Sequence, residues 1–294
     1  MPTLPFTYHR PASLAEACAL GQRLGGDAAF LAGGTELVPD YQRGRETARH
    51  LIALGSIAEL RGIARDGDRL RIGALTSVGA IAASADVQGW LPALAEAARS
   101  LGSPQIRSLA TIGGNFCRAV SCADLPPAAM VGDARLRIVS GAGERVIGAA
   151  ELFAGPRRTV LEPGEVLAEI IIPAAAPHSG SSFQRFALRR GMALAVASAA
   201  AAVVFAGARI TRASVALGAV GPVPLMVPRV SSLLEGEIAT EELFAVAGAV
   251  CADAALPISD IRGSEAFRRD IVAVLVRRAL AQAAARAHAA GGVA

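Results

Sequence analysis

The spacing of apolar residues changes repeatedly along the chain. Ala17, Leu20 and Leu24 follow helical spacing behind Ser13 and Glu16, a Ser-x-x-Glu pair that predicts a capped amphipathic helix ending at Gly25-Gly26. The short apolar run at residues 28–32 predicts a buried strand, and residues 50–54 a second, with the linker at Gly55-Ser56 closing a small first subdomain. Strands are then expected at 69–72, 134–140 and 166–172, and helices at 78–83 and 91–98. Residues 173–180, rich in Pro, Ala and Gly, read as a linker. Beyond it, residues 195–205 and 209–219 flank Ala206-Gly207-Ala208 as a hairpin, and helical spacing returns at 241–251 and 264–288. The last helix gathers Ile271, Leu275, Val276 and Leu280 on one face, leaving Arg268, Arg269, Arg277 and Arg278 for a solvated basic side or a docking surface.

Two segments interrupt this pattern with one shared design. Leu31-Ala32-Gly33-Gly34-Thr35-Glu36-Leu37 and Ala110-Thr111-Ile112-Gly113-Gly114-Asn115 lie about eighty residues apart. Each has an apolar lead-in, a glycine pair and a small polar side chain. Glycine lets the main chain approach a ligand so that successive N–H groups converge on phosphate oxygens, and Thr35 or Asn115 can add a side-chain donor. Either segment alone is an ordinary turn; the matched pair predicts a diphosphate cradle. No G-x-G-x-x-G or G-x-x-x-x-G-K-[ST] occurs, which argues against a Rossmann domain and a P-loop.

The second segment is embedded in a longer run from Gly102-Ser103-Pro104-Gln105-Ile106-Arg107 to Ala119-Val120-Ser121-Cys122-Ala123-Asp124-Leu125-Pro126-Pro127. This run resembles the FAD-binding subunit of the molybdenum hydroxylases, the xanthine dehydrogenase and carbon monoxide dehydrogenase family, which also includes 4-hydroxybenzoyl-CoA reductase. That family's pyrophosphate loops read AGGT or AGGH and T-[IL]-G-G-N, followed by A-x-x-x-A-D-x-x-P. The similarity continues in order through nearly the whole chain. Tyr8-His9-Arg10-Pro11 and the residues to Ala17 resemble the entry helix, Leu70-Arg71-Ile72-Gly73-Ala74-Leu75-Thr76 a family strand, and the stretch from Glu165-Val166-Leu167 to Ile172-Pro173 another. Phe183-Gln184-Arg185-Phe186 and Gly218-Ala219-Val220-Gly221-Pro222 resemble its C-terminal domain.

The resemblance implies an α+β protein: a two-subdomain FAD-binding fold of the vanillyl-alcohol oxidase type at 1–175, divided near 55, and a small C-terminal domain at 176–294 with an antiparallel sheet and helices. It assigns residues 31–37 and 111–115 to noncovalent FAD, with Ser103, Gln105 and Ile106 shaping the same pocket. Asp124 corresponds to an acidic residue near the ribityl chain and ring, Leu167 to an apolar residue against the flavin, and Arg185 to a basic group that approaches it. Arg190-Gly191-Met192-Ala193 departs from the family's R-x-M-D sequence, which removes an acid near the flavin edge.

Composition narrows the remaining choices. The chain has 294 residues, enough for two domains, and a formal charge of +4 carried by scattered arginines, so no nucleic-acid footprint is expected. The richest apolar stretch, residues 192–206, is too short and broken for a membrane span, and the N-terminus lacks a leader pattern. A soluble cytoplasmic protein is expected. Cys18, Cys117, Cys122 and Cys251 fit neither a disulfide framework nor a zinc site, and His9, His50, His178 and His288 are dispersed, so no metal is expected. Cys122 runs directly into Ala123-Asp124, without the inserted loop that carries an iron-sulfur cluster in some relatives.

No nucleophile, base and orienting acid assemble, so no catalytic residue is assigned and the chemistry is left to the cofactor. The resemblance implies an electron-transfer subunit. Electrons would come from two-iron-two-sulfur clusters on a small partner and leave through FAD to NAD⁺ or a quinone, with molybdopterin on a large partner in a dimer of heterotrimers. The competing expectations are a stand-alone flavin oxidase or reductase of the same fold and a non-catalytic structural subunit.

Overall fold

The structure, a computed structural model, describes residues 5–189 and 191–290. Its first unit is a three-stranded parallel sheet of β1 (Thr7–His9), β2 (Ala28–Leu31) and β3 (His50–Ala53), with β3 in the middle. Helix α1 (Leu14–Leu24) packs against it through Leu14, Ala17 and Cys18. Ser13 accepts from the Glu16 N–H at 3.2 Å and caps the helix. The Glu16 carboxylate turns instead to the Ala12 N–H at 2.7 Å, so the expected cap forms without its reciprocal half. Gly25 ends the helix at φ 54, a left-handed angle natural for glycine. Part of the opening segment read as an entry helix is therefore strand. Strand β2 is half-buried rather than buried. It leads into α2 (Leu37–Gln42).

A five-stranded antiparallel sheet forms the second unit. Its strands are β4 (Ile63–Asp66), β5 (Arg69–Gly73), β6 (Arg135–Ser140), β7 (Gly143–Gly148) and, after the small ribbon β8 (Phe153–Gly155) with β9 (Arg158–Thr159), β10 (Val166–Pro173). The order β4-β5-β10-β6-β7 puts the apolar β10 at the centre, where both faces are covered and five of its eight residues in a row are buried. Between β5 and β6 the chain runs through six short helices, α3 (Val78–Ala83), α4 (Ala85–Trp90), α5 (Pro92–Ser100), α6 (Pro104–Leu109), α7 (Ile112–Cys117) and α8 (Leu125–Met130). They share one core with the sheet, built on Leu70, Ile72, Leu94, Phe116, Leu136 and Ile170.

The third unit is a sheet in the order β11 (Ser179–Phe186), β12 (Ala197–Ala206), β13 (Arg209–Gly218) and β14 (Leu225–Met226), followed by α9 (Pro228–Leu234), α10 (Glu241–Ala254) and α11 (Glu265–Ala290). The hairpin expected at Gly207 is present, with that glycine at φ 58. Strand β12 is alanine-rich because both of its faces are covered. Ala199, Ala201 and Val203 belong to the core beneath the helices, while Ala200 joins the core of the second unit. Small side chains let the layers approach: a Cβ on Gly180 would lie 2.1 Å from the Ala283 carbonyl oxygen of α11. Glu96 fastens the second and third units by pairing with Arg286 and accepting the Phe183 N–H at 2.8 Å.

The last helix corrects one expectation. Arg268 is 3% exposed, not part of a solvated side; it donates to the carbonyls of Val196 and Ala219 at 3.0 and 3.2 Å and pairs with Asp260 at 2.7 Å. Helix α11 is wedged among strand ends here, so the position is interior although its spacing is polar. Arg277 and Arg278 are exposed as expected. No helix among the described residues is long and apolar enough to cross a membrane.

Candidate functional site

A cavity of about 520 Å³ opens where the three units meet. The first unit contributes Phe30 and residues 32–37, the second Ile106, Thr111, Gly114, Asn115, Arg118 and Asp124, and the third Arg185, Met192, Ala193 and Leu194. The two glycine segments are thus brought together on one wall.

The first segment is a true loop between β2 and α2. A Cβ on Gly33 would fall 1.9 Å from the Leu109 carbonyl oxygen, so a bare backbone is what lets this loop rest on the strand of chain leading to the second segment. Gly34 sits at φ 71, where an L side chain is strained. This geometry leaves a row of donors: among the described residues, no hydrogen bond takes up the N–H groups of Gly33, Gly34, Thr35 or Glu36. Backbone donors left without partners at a cavity wall call for a ligand or water, and a run of them forms an anion-binding nest.

The second segment is not a loop. Thr111 is the N-cap of α7, its Oγ accepting the Gly114 N–H at 3.2 Å, and both glycines are helical. The Ile112 N–H goes to Thr76 at 3.1 Å, Gly113 to Ala74 at 2.8 Å and Asn115 to Thr111 at 3.0 Å. The expectation that both segments offer free backbone donors is therefore corrected, because helix formation and docking on residues 74–76 consume those of residues 112–115. What remains, besides the Thr111 N–H, is the Asn115 side chain, whose Oδ1 is buried without a partner. A carboxamide can turn either its acceptor or its donors toward a ligand.

A backbone nest, a glycine pair at close approach and an orphaned amide fit a dinucleotide with a diphosphate, and the family comparisons agree. Residues 4–175 match the family described as FAD binding domain in molybdopterin dehydrogenase, and residues 182–283 the CO dehydrogenase flavoprotein C-terminal domain. The carbon monoxide dehydrogenase medium chain of Hydrogenophaga pseudoflava is 35% identical over 285 residues, covering 96% of this chain and 98% of that one. The xanthine dehydrogenase FAD-binding subunit of Escherichia coli O157:H7 is 32% identical over 290 residues, 97% of each. The carbon monoxide dehydrogenase structure from Hydrogenophaga pseudoflava superposes with a TM-score of 0.94 at 34% identity, over 97% of this chain and 99% of that one. Quinoline 2-oxidoreductase from Pseudomonas putida 86 gives 0.91 at 29%, over 98% and 99%. The chain belongs to the FAD-binding medium subunits of the molybdenum hydroxylases.

As a subunit of that oxidoreductase family, it places the expected site residues unevenly. Ala32, Gly33, Gly34, Thr35, Glu36, Leu37, Ile106, Thr111, Gly114, Asn115, Asp124 and Arg185 line the cavity. Leu31 stands behind it, 3.4 Å from where a Gly34 Cβ would be. Ile112 is buried in the core, and Gly113 is packed so that a Cβ would meet that of Ala74 at 2.7 Å. Ser103 caps α6 by accepting the Ile106 N–H at 3.3 Å, Gln105 is exposed, and Leu167 is 4% exposed within the core of the second unit. Of the sequence departure at 190–193, Arg190 lies outside the described residues.

Asp124 and Arg185 meet across the boundary between the second and third units, Nε to Oδ1 at 3.1 Å, both nearly inaccessible. The contact is an ion pair without an aligned hydrogen bond, since both atoms lack one. Burial pushes the Asp124 carboxyl up to about 6, and the Arg185 guanidinium restrains that rise. Arg185 is held in place by the carbonyls of Ser100 and Ala193. Cys117 and Cys122 also line the cavity, the first exposed and the second half-buried, both free.

Sequence reading missed Asp40 and Arg118. Arg118 lines the cavity and pairs with the buried Asp40 of α2, joining the two glycine segments behind the wall. Two signals for them existed: Arg118 stands one helical step of three from Asn115, and Asp40 is a lone acid within Leu37-Val38-Pro39-Asp40-Tyr41.

Proposed function

We propose that this chain holds FAD noncovalently in the cavity and serves as the electron outlet of a molybdenum hydroxylase complex. The observation that carries the reading is the run of unclaimed N–H groups at residues 33–36 in the same cavity lining as the orphaned Asn115 side chain, a donor set suited to a diphosphate. Bound flavin takes up electrons singly or in pairs and releases them either way. The chain's own residues would do the rest. The 33–36 amides and Asn115 would fix the phosphates and sugar hydroxyls, Thr111 keeps the start of α7 in register, and the Asp124–Arg185 pair sets charge in the cavity wall. Residues 1–175 would form the FAD-binding domain and 176–294 a domain that completes the pocket with Arg185 and docks partners.

In this reading electrons arrive from two-iron-two-sulfur clusters of a small subunit, after substrate is oxidised at molybdopterin on a large subunit. They leave to NAD⁺ or a quinone. The assembly is a dimer of heterotrimers in the cytoplasm, and this chain carries no iron-sulfur cluster of its own. Purified chain should show flavin absorbance near one FAD per polypeptide, released by denaturation, with negligible iron. In the reconstituted complex, substrate should bleach the iron-sulfur centres whether or not flavin is present, while turnover with the acceptor should require it. Full-rate turnover of a flavin-free complex would sink the reading, and substrate oxidation by the isolated chain would favour a stand-alone oxidase.

A further inference from the structure

We infer that Arg118 supplies the positive charge that holds the diphosphate of the bound dinucleotide, and that Asp40 and Glu36 aim it there. This rests on the FAD reading of the cavity and adds a cation that the neutral backbone nest lacks. Arg118 caps the C-terminal end of α7, three residues beyond Asn115, so both side chains leave neighbouring positions on one helix surface. The guanidinium reaches across to the first glycine segment. Its Nη2 donates to Asp40, and its Nε lies 3.5 Å from a Glu36 carboxylate oxygen. Nε is nevertheless buried without a hydrogen bond, and among the described residues Nη1 has no acceptor. A guanidinium with spare donors, 20% exposed at a cavity wall, is only partly satisfied by the carboxylates beside it.

The surrounding charge has the sign a phosphate needs. Asp40 has a side chain 7% exposed, yet it faces Arg157 at 3.7 Å and Arg45 at 4.0 Å as well as Arg118. Three guanidinium groups against Asp40 and Glu36 leave an excess of positive charge beside the nest, and Arg43 lines the same cavity. The planar fork of arginine matches phosphate oxygens, and a buried carboxylate on its other edge restricts the rotamers it would otherwise sample. Asp40 is accordingly a positioning residue, acting through Arg118.

The test uses the full-length chain, stripped of flavin and titrated with FAD by flavin fluorescence at several salt concentrations, alongside thermal unfolding of the flavin-free protein. Arg118→Gln should weaken FAD roughly 10- to 100-fold, the range of a hydrogen bond between charged partners. It should also flatten the salt dependence of binding. Arg118→Lys should keep the wild-type salt dependence and recover part of the affinity, because the charge stays and the planar fork is lost. Asp40→Asn should lose affinity without flattening the salt dependence, because Arg118 keeps its charge and loses its aim while one opposing carboxylate is removed. Binding of Arg118→Gln within threefold of wild type overturns the inference. So does an equal loss in Arg118→Gln and Arg118→Lys with unaltered salt dependence, which would make Arg118 a structural clasp. Wild-type binding of FAD that is independent of salt overturns it even if a variant fails to fold. Absence of FAD binding by the wild-type chain is a different result, since it removes the cofactor reading itself.

Discussion

Residues 32–37 and 111–115 share a glycine pair, an apolar lead-in and a polar neighbour, and they face one cavity. In each pair the first glycine serves packing, Gly33 against Leu109 and Gly113 against Ala74, and the second opens toward the cavity. They differ in what they leave free. The first stays a loop, so its N–H groups remain available and its side chains matter little. The second starts a helix that consumes the N–H groups of residues 112–115, and in the proposed reading recognition passes to Asn115 and, a turn later, Arg118. Similar glycine patterns can thus yield a backbone site or a side-chain site, depending on whether neighbouring chain accepts the amides.

Substitutions at the packing glycines should show the largest effects. Gly33→Ala puts a Cβ on the Leu109 carbonyl, which should cost upward of about 3 kcal/mol in denaturant unfolding and abolish FAD binding. Wild-type stability in this variant would mean that the two segments are not locked together. Next come the open glycines. Gly34→Val adds left-handed strain of roughly 1–2 kcal/mol, and Gly114→Val places a branched side chain beside Thr111 Oγ, 3.0 Å from its Cβ. Both should emerge from gel filtration without flavin but folded by circular dichroism; full flavin in both would break the cradle assignment.

The acid beyond the second segment gives a pH test. Asp124 has a folded-state value near 6, above its ordinary 3.8, so the native protein binds its proton more tightly than the unfolded chain does. Its contribution to stability is complete below about 4 and is lost as pH rises through 6, a change of roughly 3 kcal/mol. Unfolding of the flavin-free chain between pH 4 and 7 should follow that slope, and Asp124→Asn should remove it. An unchanged slope in the variant would assign the titration elsewhere.

Two smaller substitutions separate the segments directly. Asn115→Ala should weaken FAD about three- to tenfold, the size of one hydrogen bond, without lowering the unfolding midpoint, because its Oδ1 has no partner to lose. Thr35→Val should change FAD affinity by less than about threefold, since the first segment acts through its backbone. A larger loss for Thr35→Val than for Asn115→Ala would invert the comparison.

Local signals carried much of the architecture. The Ser13 cap, the helix at 78–83, the strands near 69, 135 and 166 and the hairpin at Gly207 all depend on residues close in sequence, and each appears within a few positions of its expected place. The strands β1, β4 and β7 escaped because short, exposed or edge strands lack apolar alternation. Among the expected residues that line the cavity, Asn115 was read from its own chemistry and Arg185 only through the family resemblance, while Leu167 and Gln105 lie in the core and on the surface.

The sequence by itself determined the local elements, the glycine pairs and the membership that their order conveys, because caps, turns and periodicity are written in adjacent residues. Only the tertiary structure decided which amides stay free, that Arg268 is interior, and that Arg118 meets Asp40 seventy-eight residues away. A hydrogen bond or ion pair between distant segments depends on where the whole chain places its acceptors, and no local pattern specifies that.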